Sequence, residues 1–277
     1  MQGLKWTRKT TRKVARQLRR LNIRVSAKTV GRLLKAMGFS LRVNHKNLES
    51  GNKNPPPRRV RNRQFRYINQ KRKEFASWGN PIISVDTKKK EKVGKFKNYG
   101  VSWEQKPYLV NDHDFLNDAL GMAVPYGIYD PEANRGFVAV GTSYETPSFA
   151  VDSIALWWKR CGRSMYPKAY KLLILADCGG GNSARSHAWK YHLQQFADQS
   201  GLEVTVCHYP PGTSKWNKIE HRMFSYISVN WQGRPLVSYE TVVNLIGATR
   251  TKTGLRIKAA LDTRQYEAGV KISDAEM

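Results

Sequence analysis

The segments Ile82-Ile83-Ser84-Val85-Asp86 and Leu172-Leu173-Ile174-Leu175-Ala176-Asp177 share one pattern, a short apolar run that ends in an aspartate. Such runs are typical of strands that are buried on both faces of a sheet. In open α/β sheets ligands bind at the carboxyl ends of the strands, so neighbouring strands bring their last side chains to one edge. The two segments therefore predict a sheet with an acidic site at that edge.

The chain around these segments alternates short apolar runs with amphipathic stretches, which predicts an α/β domain over residues 81–277. Besides Ile82–Asp86 and Leu172–Ala176, strands are predicted at Ala123–Asp130, Gly136–Gly141 and Val204–His208. Helices are predicted at Pro147–Cys161, Ser183–Ser200 and Ser214–Val229. The gap between the second and third strands suits an antiparallel hairpin, whereas the later strands need helical crossovers, as parallel strands do.

A third acid, Glu220, lies on the last of these helices, three residues after Asn217 and on the same helical face. Three carboxylates with few histidines suit Mg²⁺ or Mn²⁺ better than zinc. Two such ions can activate an attacking oxygen and stabilise a leaving one in phosphate chemistry. The alternative is that Asp86 and Asp177 are ordinary turn or cap residues.

The composition separates classes of protein. The 277 residues are 40% hydrophobic, which supports a folded core. No apolar run is long enough to span a membrane and no signal peptide is evident, so a cytoplasmic, nucleoid-associated protein is expected. The three cysteines, Cys161, Cys178 and Cys207, are too widely spaced to suggest a disulfide framework or a thiolate zinc site.

The net charge of +27 is concentrated near the N-terminus, where residues 1–73 contain 23 basic residues and one acid, Glu49. A field of this strength favours a polyanionic partner, and nucleic acid is the common one. A ribosomal or solubilising basic tail and a membrane-surface segment remain alternatives.

Two short amphipathic helices are predicted between Thr10 and Gly38, within a small all-α region at residues 1–43. Ser26 is a suitable N-cap for the second helix, and the short turn before it suits a helix-turn-helix. In that motif the second helix enters the major groove, so the candidate DNA contacts on it are Lys28, Thr29 and Arg32. An ordinary helical hairpin with a basic face is the alternative.

A basic linker and helix are predicted at residues 44–80. Pro55, Pro56 and Pro57 block helix formation, and a basic helix follows at about Val60–Trp78. After Asp86 comes a lysine-rich stretch whose first members are Lys88, Lys89 and Lys90. This stretch is either a solvated loop or a clamp for DNA beside the acidic site.

Three motifs of the sequence resemble those of DDE transposases of bacterial insertion sequences, specifically the Rhodopirellula-type family, which is distantly related to mariner-like transposases. The motifs are Ile83-Ser84-Val85-Asp86-Thr87-Lys88-Lys89-Lys90, Leu173-Ile174-Leu175-Ala176-Asp177 and Cys207-His208-Tyr209-Pro210-Pro211-Gly212-Thr213-Ser214-Lys215-Trp216-Asn217-Lys218-Ile219-Glu220-His221-Arg222. The resemblance covers nearly the whole chain.

The resemblance implies an RNase H-like catalytic domain with a mixed sheet, in which Asp86, Asp177 and Glu220 bind the metal ions, with His221 and Asn217 as auxiliary candidates. It also implies metal-dependent cleavage and strand transfer, with the element ends and target DNA as double-stranded partners. A homo-oligomer on DNA is a further candidate partner, although the sequence does not give the oligomeric state. Family members extend further at both ends, so the chain is expected to be trimmed. A metal-dependent nuclease of the same fold and an inactive DNA-binding remnant are the alternatives.

Overall fold

The computed structural model describes residues 9–41, 56–210, 213, 216–273 and 276, and its contacts divide the chain into two units, Met1–Lys53 and Asn54–Met277. None of the helices in these described stretches combines the length and apolarity needed to cross a bilayer.

The first unit contains the two predicted helices, α1 (Thr11–Arg20) and α2 (Ala27–Ala36). Each begins at a hydroxyl side chain that accepts a hydrogen bond from a backbone N–H three residues further on: Thr10 from Lys13 and Ser26 from Thr29. Both helices are short, so they depend on packing against each other as well as on these caps. The predicted cap at Ser26 is confirmed.

The second unit is built on a sheet of seven strands in the order β6-β5-β1-β3-β4-β7, with β2 paired to β3. The strands are β1 (Ile82–Thr87), β2 (Glu91–Val93), β3 (Gly121–Asp130), β4 (Arg135–Gly141), β5 (Lys171–Ala176), β6 (Glu203–His208) and β7 (Arg256–Asp262). The five predicted strands are confirmed to within two residues at each end. β2 and β7 are not among the predicted strands.

The strand directions decide which chain segments share an edge of the sheet. β1 is parallel to β5 and antiparallel to β3, while β5 is parallel to β6. β3 and β4 form the predicted antiparallel hairpin, and β7 is parallel to β4. Among the strands described, β3 alone runs against the others, so the carboxyl ends of β1, β4, β5, β6 and β7 all lie at one edge.

Helices cover both faces of the sheet. They are α3 (Arg58–Ser77), α4 (Pro147–Trp157), α5 (Arg163–Met165), α6 (His187–Ser200), α7 (Ser225–Asn230) and α8 (Tyr239–Gly247). On one face Ile83 and Val85 of β1 pack with residues of α4 and α6. On the other face α3 packs against β1 and β5, and α7 and α8 pack against β3, β4 and β7. The basic helix that follows the linker therefore belongs to the second unit.

The helix boundaries differ from the predicted ones where a local signal intervenes. α6 begins at His187, because the Ser186 side chain accepts a hydrogen bond from the Trp189 N–H and caps the helix there. α4 passes into a π turn, Trp158–Gly162. The third predicted helix begins at Ser214, which lies outside the described residues; what the structure describes is a π turn, Glu220–Phe224, followed by α7.

Candidate active site

Asp86 and Asp177 lie side by side at the carboxyl edge of the sheet. Val85 of β1 is in register with Ala176 of β5, so the residues that follow them, Asp86 and Asp177, leave neighbouring parallel strands at the same level. Because side chains alternate along a strand, Asp86 faces away from the side on which Val85 is packed. The predicted juxtaposition of these two acids is thus present in the structure.

Glycine in β3 lets the third acid approach this pair. Gly127 is in register with Asp86, and a Cβ atom at Gly127 would lie only 2.5 Å from the Phe224 ring and 2.7 Å from the Met223 methyl group. The π turn Glu220–Phe224 therefore rests directly on the strand beside Asp86. A larger residue at Gly127 would push this turn, and Glu220 with it, away from the sheet.

Asn217 ties the start of the same helical segment to β1. Its side chain is fully buried. The amide Nδ2 donates to the Val85 carbonyl oxygen at 3.3 Å, and the Ser84 hydroxyl donates to Oδ1. These bonds fix the backbone that leads to Glu220 against the residue that precedes Asp86.

The charges of Asp177 and Glu220 both act on Asp86. Burial, together with the charges of Asp177 and Glu220, raises the pKa of the Asp86 carboxyl to about 8, although the Thr87 N–H donates to Asp86 Oδ1 at 2.8 Å and opposes the shift. In the described parts of the chain no three His, Cys, Asp or Glu side chains converge as ligands of a single ion. Among the three acids, Asp86 is the one whose pKa is raised by the negative charges of both others.

A pocket of about 350 Å³ opens beside Asp86 and Asp177. It is lined by the two aspartates, by residues that follow β1, by Glu145, and by a glycine turn: Asp86, Thr87, Lys88, Lys89, Lys90, Glu145, Asp177, Gly179 and Gly180. Glu220 is not among the lining residues. Its link to the pocket is through Asp86.

The three lysines predicted to contact DNA have different surroundings. Lys88 is buried, with Nζ 3.6 Å from Glu91 Oε1 and 4.5 Å from the centroid of the Trp231 ring, and burial lowers the pKa of its ammonium group. Lys89 and Lys90 are exposed. Lys88 is thus buried within the protein, whereas Lys89 and Lys90 keep exposed surface at this edge, and contact with DNA stays a prediction for all three.

Glu145, which lies four residues after β4 and before α4, is a residue of this pocket that is not predicted from the sequence. Its carboxylate Oε2 is 3.0 Å from Lys90 Nζ, and its side chain is 18% exposed. β4 runs in the same direction as β1, which places its carboxyl end at the acidic edge. The predicted β3–β4 hairpin contained a signal for this position. Because β3 is antiparallel to β1 and β4 is antiparallel to β3, the carboxyl end of β4 lies at the same edge of the sheet as Asp86.

Two contacts to Asn182 hold the glycine turn that follows Asp177. The Tyr126 hydroxyl donates to Asn182 Oδ1 at 2.8 Å, and a ring nitrogen of His208 lies 2.7 Å from the Asn182 carbonyl oxygen. Gly180 has a φ of +53°. A Cβ atom added to Gly181 would lie 2.9 Å from the Thr146 carbonyl oxygen. A side chain would be strained at the first position and would clash at the second.

The remaining predicted site residues lie outside the pocket lining. His221 is exposed on the π turn next to Glu220. In the first unit Lys28 and Arg32 are exposed on α2, whereas the Thr29 hydroxyl lies 2.9 Å from Ser26 Oγ within the helix cap. Lys28 and Arg32 thus keep free surfaces for a ligand, and Thr29 serves the cap.

The fold and the site define a mixed α/β protein whose carboxylates are gathered at the carboxyl edge of its sheet. The chain belongs to the family described as the Rhodopirellula transposase DDE domain, whose model matches residues 1–277. The resemblance seen in the sequence motifs is therefore confirmed, and the protein is a member of a transposase family.

Solved structures of the Mos1 transposase match this chain at low sequence identity. A Mos1 paired-end complex with the left transposon end and a mariner Mos1 paired-end complex with Mg each give a TM-score of 0.49 and 15% identity. A Mos1 mariner paired-end complex with Mn gives 0.45 and 16%. Each match covers 84% of this chain and 64% of the other, so the chain spans less than two thirds of those proteins. The comparison with curated proteins gives no match.

Proposed function

We propose that this protein is a DNA transposase in which Asp86, Asp177 and Glu220 hold divalent metal ions and direct phosphodiester cleavage and strand transfer. The observation that carries the proposal is the register of β1 and β5, which sets Asp86 beside Asp177 while the Glu220 segment rests on Gly127 next to Asp86. The mixed sheet is consistent with an RNase H-like domain.

The donor set fits hard divalent cations. Burial and two neighbouring acids make the charged form of Asp86 unfavourable in the metal-free protein, and bound cations would offset this repulsion. All three side chains offer carboxylate oxygens, the donors that Mg²⁺ and Mn²⁺ prefer. When bound, such ions activate the attacking oxygen and stabilise the leaving one.

The proposed reaction consists of two exchanges at phosphorus. In the first, a water oxygen bonds to the phosphorus at an element end, the bond to the 3′ oxygen breaks, and that oxygen takes a proton. In the second, the 3′ hydroxyl oxygen bonds to a target phosphorus, its proton leaves, and a target 3′ oxygen is released. One phosphodiester replaces another, so no nucleotide cofactor is required. Asn217 orients the Glu220 segment, and Lys89 and Lys90 contact the phosphates.

The first unit is proposed to bind duplex DNA through α2, as a helix-turn-helix. Lys28 and Arg32 are exposed on this helix, and a Lys/Arg pair on a recognition helix can contact phosphates or base edges. The double-stranded partners would be the element ends and the target, a homo-oligomer would assemble on them, and the protein would work in the cytoplasm at the nucleoid.

The deciding experiment is a combined cleavage and joining assay on DNA that carries the inverted ends of the element. We expect Mg²⁺- or Mn²⁺-dependent nicks at the ends, followed by covalent joining of the new 3′ ends to a target plasmid. Cleavage without joining would identify a nuclease of the same fold. DNA binding with neither cleavage nor metal binding would identify a non-catalytic remnant.

Binding of duplex DNA by the full chain is expected to weaken steeply as salt rises, because each neutralised phosphate releases counterions and contributes roughly −0.9 to the slope of log affinity against log salt. Lys28→Ala and Arg32→Ala should each reduce the magnitude of this slope by about one. Fluorescence anisotropy over a salt series measures both effects.

Lys252→Ala is the matched control for this series, because it removes an exposed positive charge from the second unit. Its slope should equal that of the wild type. A salt-independent affinity in the wild type would contradict the electrostatic part of the proposal. Loss of sequence preference in Arg32→Ala, beyond general weakening, would assign Arg32 to a base edge.

A further inference from the structure

Glu145 is an acid in the pocket that the proposed triad does not use. Its side chain is largely buried, at 18% exposed, and it lies in the segment that follows β4, whereas Lys90 lies in the segment that follows β1. The two side chains meet with Glu145 Oε2 3.0 Å from Lys90 Nζ. The Lys90 ammonium is therefore already paired with an anion in the DNA-free protein, although it is 45% exposed and faces the pocket.

The Glu145 carboxylate also lies directly over the glycine turn that follows Asp177. A Cβ atom at Gly180 would be 2.4 Å from Glu145 Oε1, which is closer than atoms can approach. Gly180 therefore leaves room for one anionic group in the space between the turn and Lys90. The group that occupies this space is the Glu145 carboxylate.

A carboxylate and a phosphodiester present similar oxygens to an ammonium group, and each carries a negative charge. The space held by Glu145 opens into the same pocket as Asp86 and Asp177. We infer that this space, bounded by Gly180 and Lys90, is a subsite for a DNA backbone phosphate, and that Glu145 fills it until DNA displaces the carboxylate. The inference rests on the proposed function.

The position of the Glu145 carboxylate favours this role over a role for Glu145 as a further metal ligand. Glu145 Oε2 is paired with Lys90 Nζ and Oε1 lies over Gly180, so an ion held by Asp86 and Asp177 would have to compete with Lys90 for this carboxylate. An incoming phosphate must separate Glu145 from Lys90, so the ion pair competes with DNA. Removing the Glu145 charge therefore strengthens DNA binding.

The test measures binding of the full-length protein to element-end duplex DNA in EDTA, so that no cleavage occurs. Glu145→Gln is expected to bind about two- to fivefold more tightly than the wild type, the range that loss of a competing partly exposed ion pair allows. Lys90→Ala should bind more weakly, and Lys90→Ala/Glu145→Gln should regain little affinity over Lys90→Ala, because the competition runs through Lys90.

Glu203→Gln is the matched control. Glu203 Oε2 pairs with Lys171 Nζ at 2.8 Å at the opposite, amino-terminal edge of β5 and β6, so loss of this pair removes the same charge without touching the pocket. Its affinity for DNA should be unchanged. Glu145→Ser repeats the test with a small side chain and guards against a packing effect of glutamine.

Several results would overturn the inference. Weaker DNA binding by both Glu145 variants would make Glu145 an anchor that holds Lys90 for the DNA. Unchanged binding would mean that no phosphate enters this space. A Mn²⁺ titration of the DNA-free protein, followed by electron paramagnetic resonance, should give the wild-type affinity in Glu145→Gln; a large loss would make Glu145 a metal ligand. If the wild type itself binds no DNA, it is the proposed function that fails.

Discussion

Replacement of Asp86, Asp177 or Glu220 by its neutral amide is expected to lower Mg²⁺-dependent nicking of element-end DNA at least about a thousandfold. Metal stabilisation of developing charge is worth several kcal/mol, and ~1.4 kcal/mol corresponds to a tenfold change in rate. Asp86→Asn, Asp177→Asn and Glu220→Gln nearly conserve shape, so DNA affinity should persist. Single-turnover nicking and anisotropy on the same DNA separate chemistry from binding.

The metal-free variants should be at least as stable as the wild type, because each substitution relieves repulsion among the three carboxylates. Thermal unfolding in EDTA checks this. Asp198→Asn, at an exposed acid of α6 whose Oδ1 accepts from Gln194, is the control and should cut at the wild-type rate. If any triad variant also cuts at the wild-type rate, that residue is not a metal ligand and a cap or turn role describes it better.

Asn217→Ala is expected to destabilise the second unit by about 2–4 kcal/mol, because it removes two buried hydrogen bonds and leaves buried polar groups of β1 without this partner. Nicking at a temperature where the variant stays folded should fall about ten- to a hundredfold, since a small displacement of a catalytic group has effects of this size. Urea unfolding and single-turnover nicking measure the two effects.

Asn230→Ala provides the comparison, since Asn230 makes one exposed side-chain bond, to the Leu245 carbonyl oxygen at 2.7 Å, further along the same helical segment. It should cost less than about 1 kcal/mol and leave nicking unchanged. A purely structural role of Asn217 predicts destabilisation with a normal rate in the folded fraction. A positioning role predicts, in addition, a weaker apparent affinity for Mn²⁺, which this comparison resolves.

The sequence predicts the central strands of the sheet better than the edge strand β7. Buried strands such as β1 and β5 are continuous apolar runs, which leave little ambiguity in a region bounded by polar turns. β7 carries Arg256 and Lys258 at exposed positions between buried ones, so it has no such run. It becomes a strand because β4 offers a parallel partner, and this pairing depends on tertiary contact.

The site shows the same division. Asp86 and Asp177 could be placed because strand-end position and edge follow from a rule of α/β sheets. Lys88 could not be distinguished from Lys89 and Lys90, because its burial against Trp231 comes from a distant segment of the chain. Glu145 could not be predicted for a related reason, because its place in the pocket depends both on the direction of β4 and on the conformation of the turn at Gly180.

The pairing of β7 with β4 also affects the order in which the three carboxylates are brought together. Arg135 is in register with Arg256, so this contact joins positions far apart in the chain, and long-range pairing of this kind folds slowly. Ile257 of β7 packs in the same apolar cluster as Met223 and Phe224 of the turn that carries Glu220. During synthesis, the apolar cluster that supports that turn is therefore complete only after residue 257 has been added and has packed into the cluster. The carboxylates of β1 and β5 can meet earlier, which makes Glu220 the last of the three to arrive.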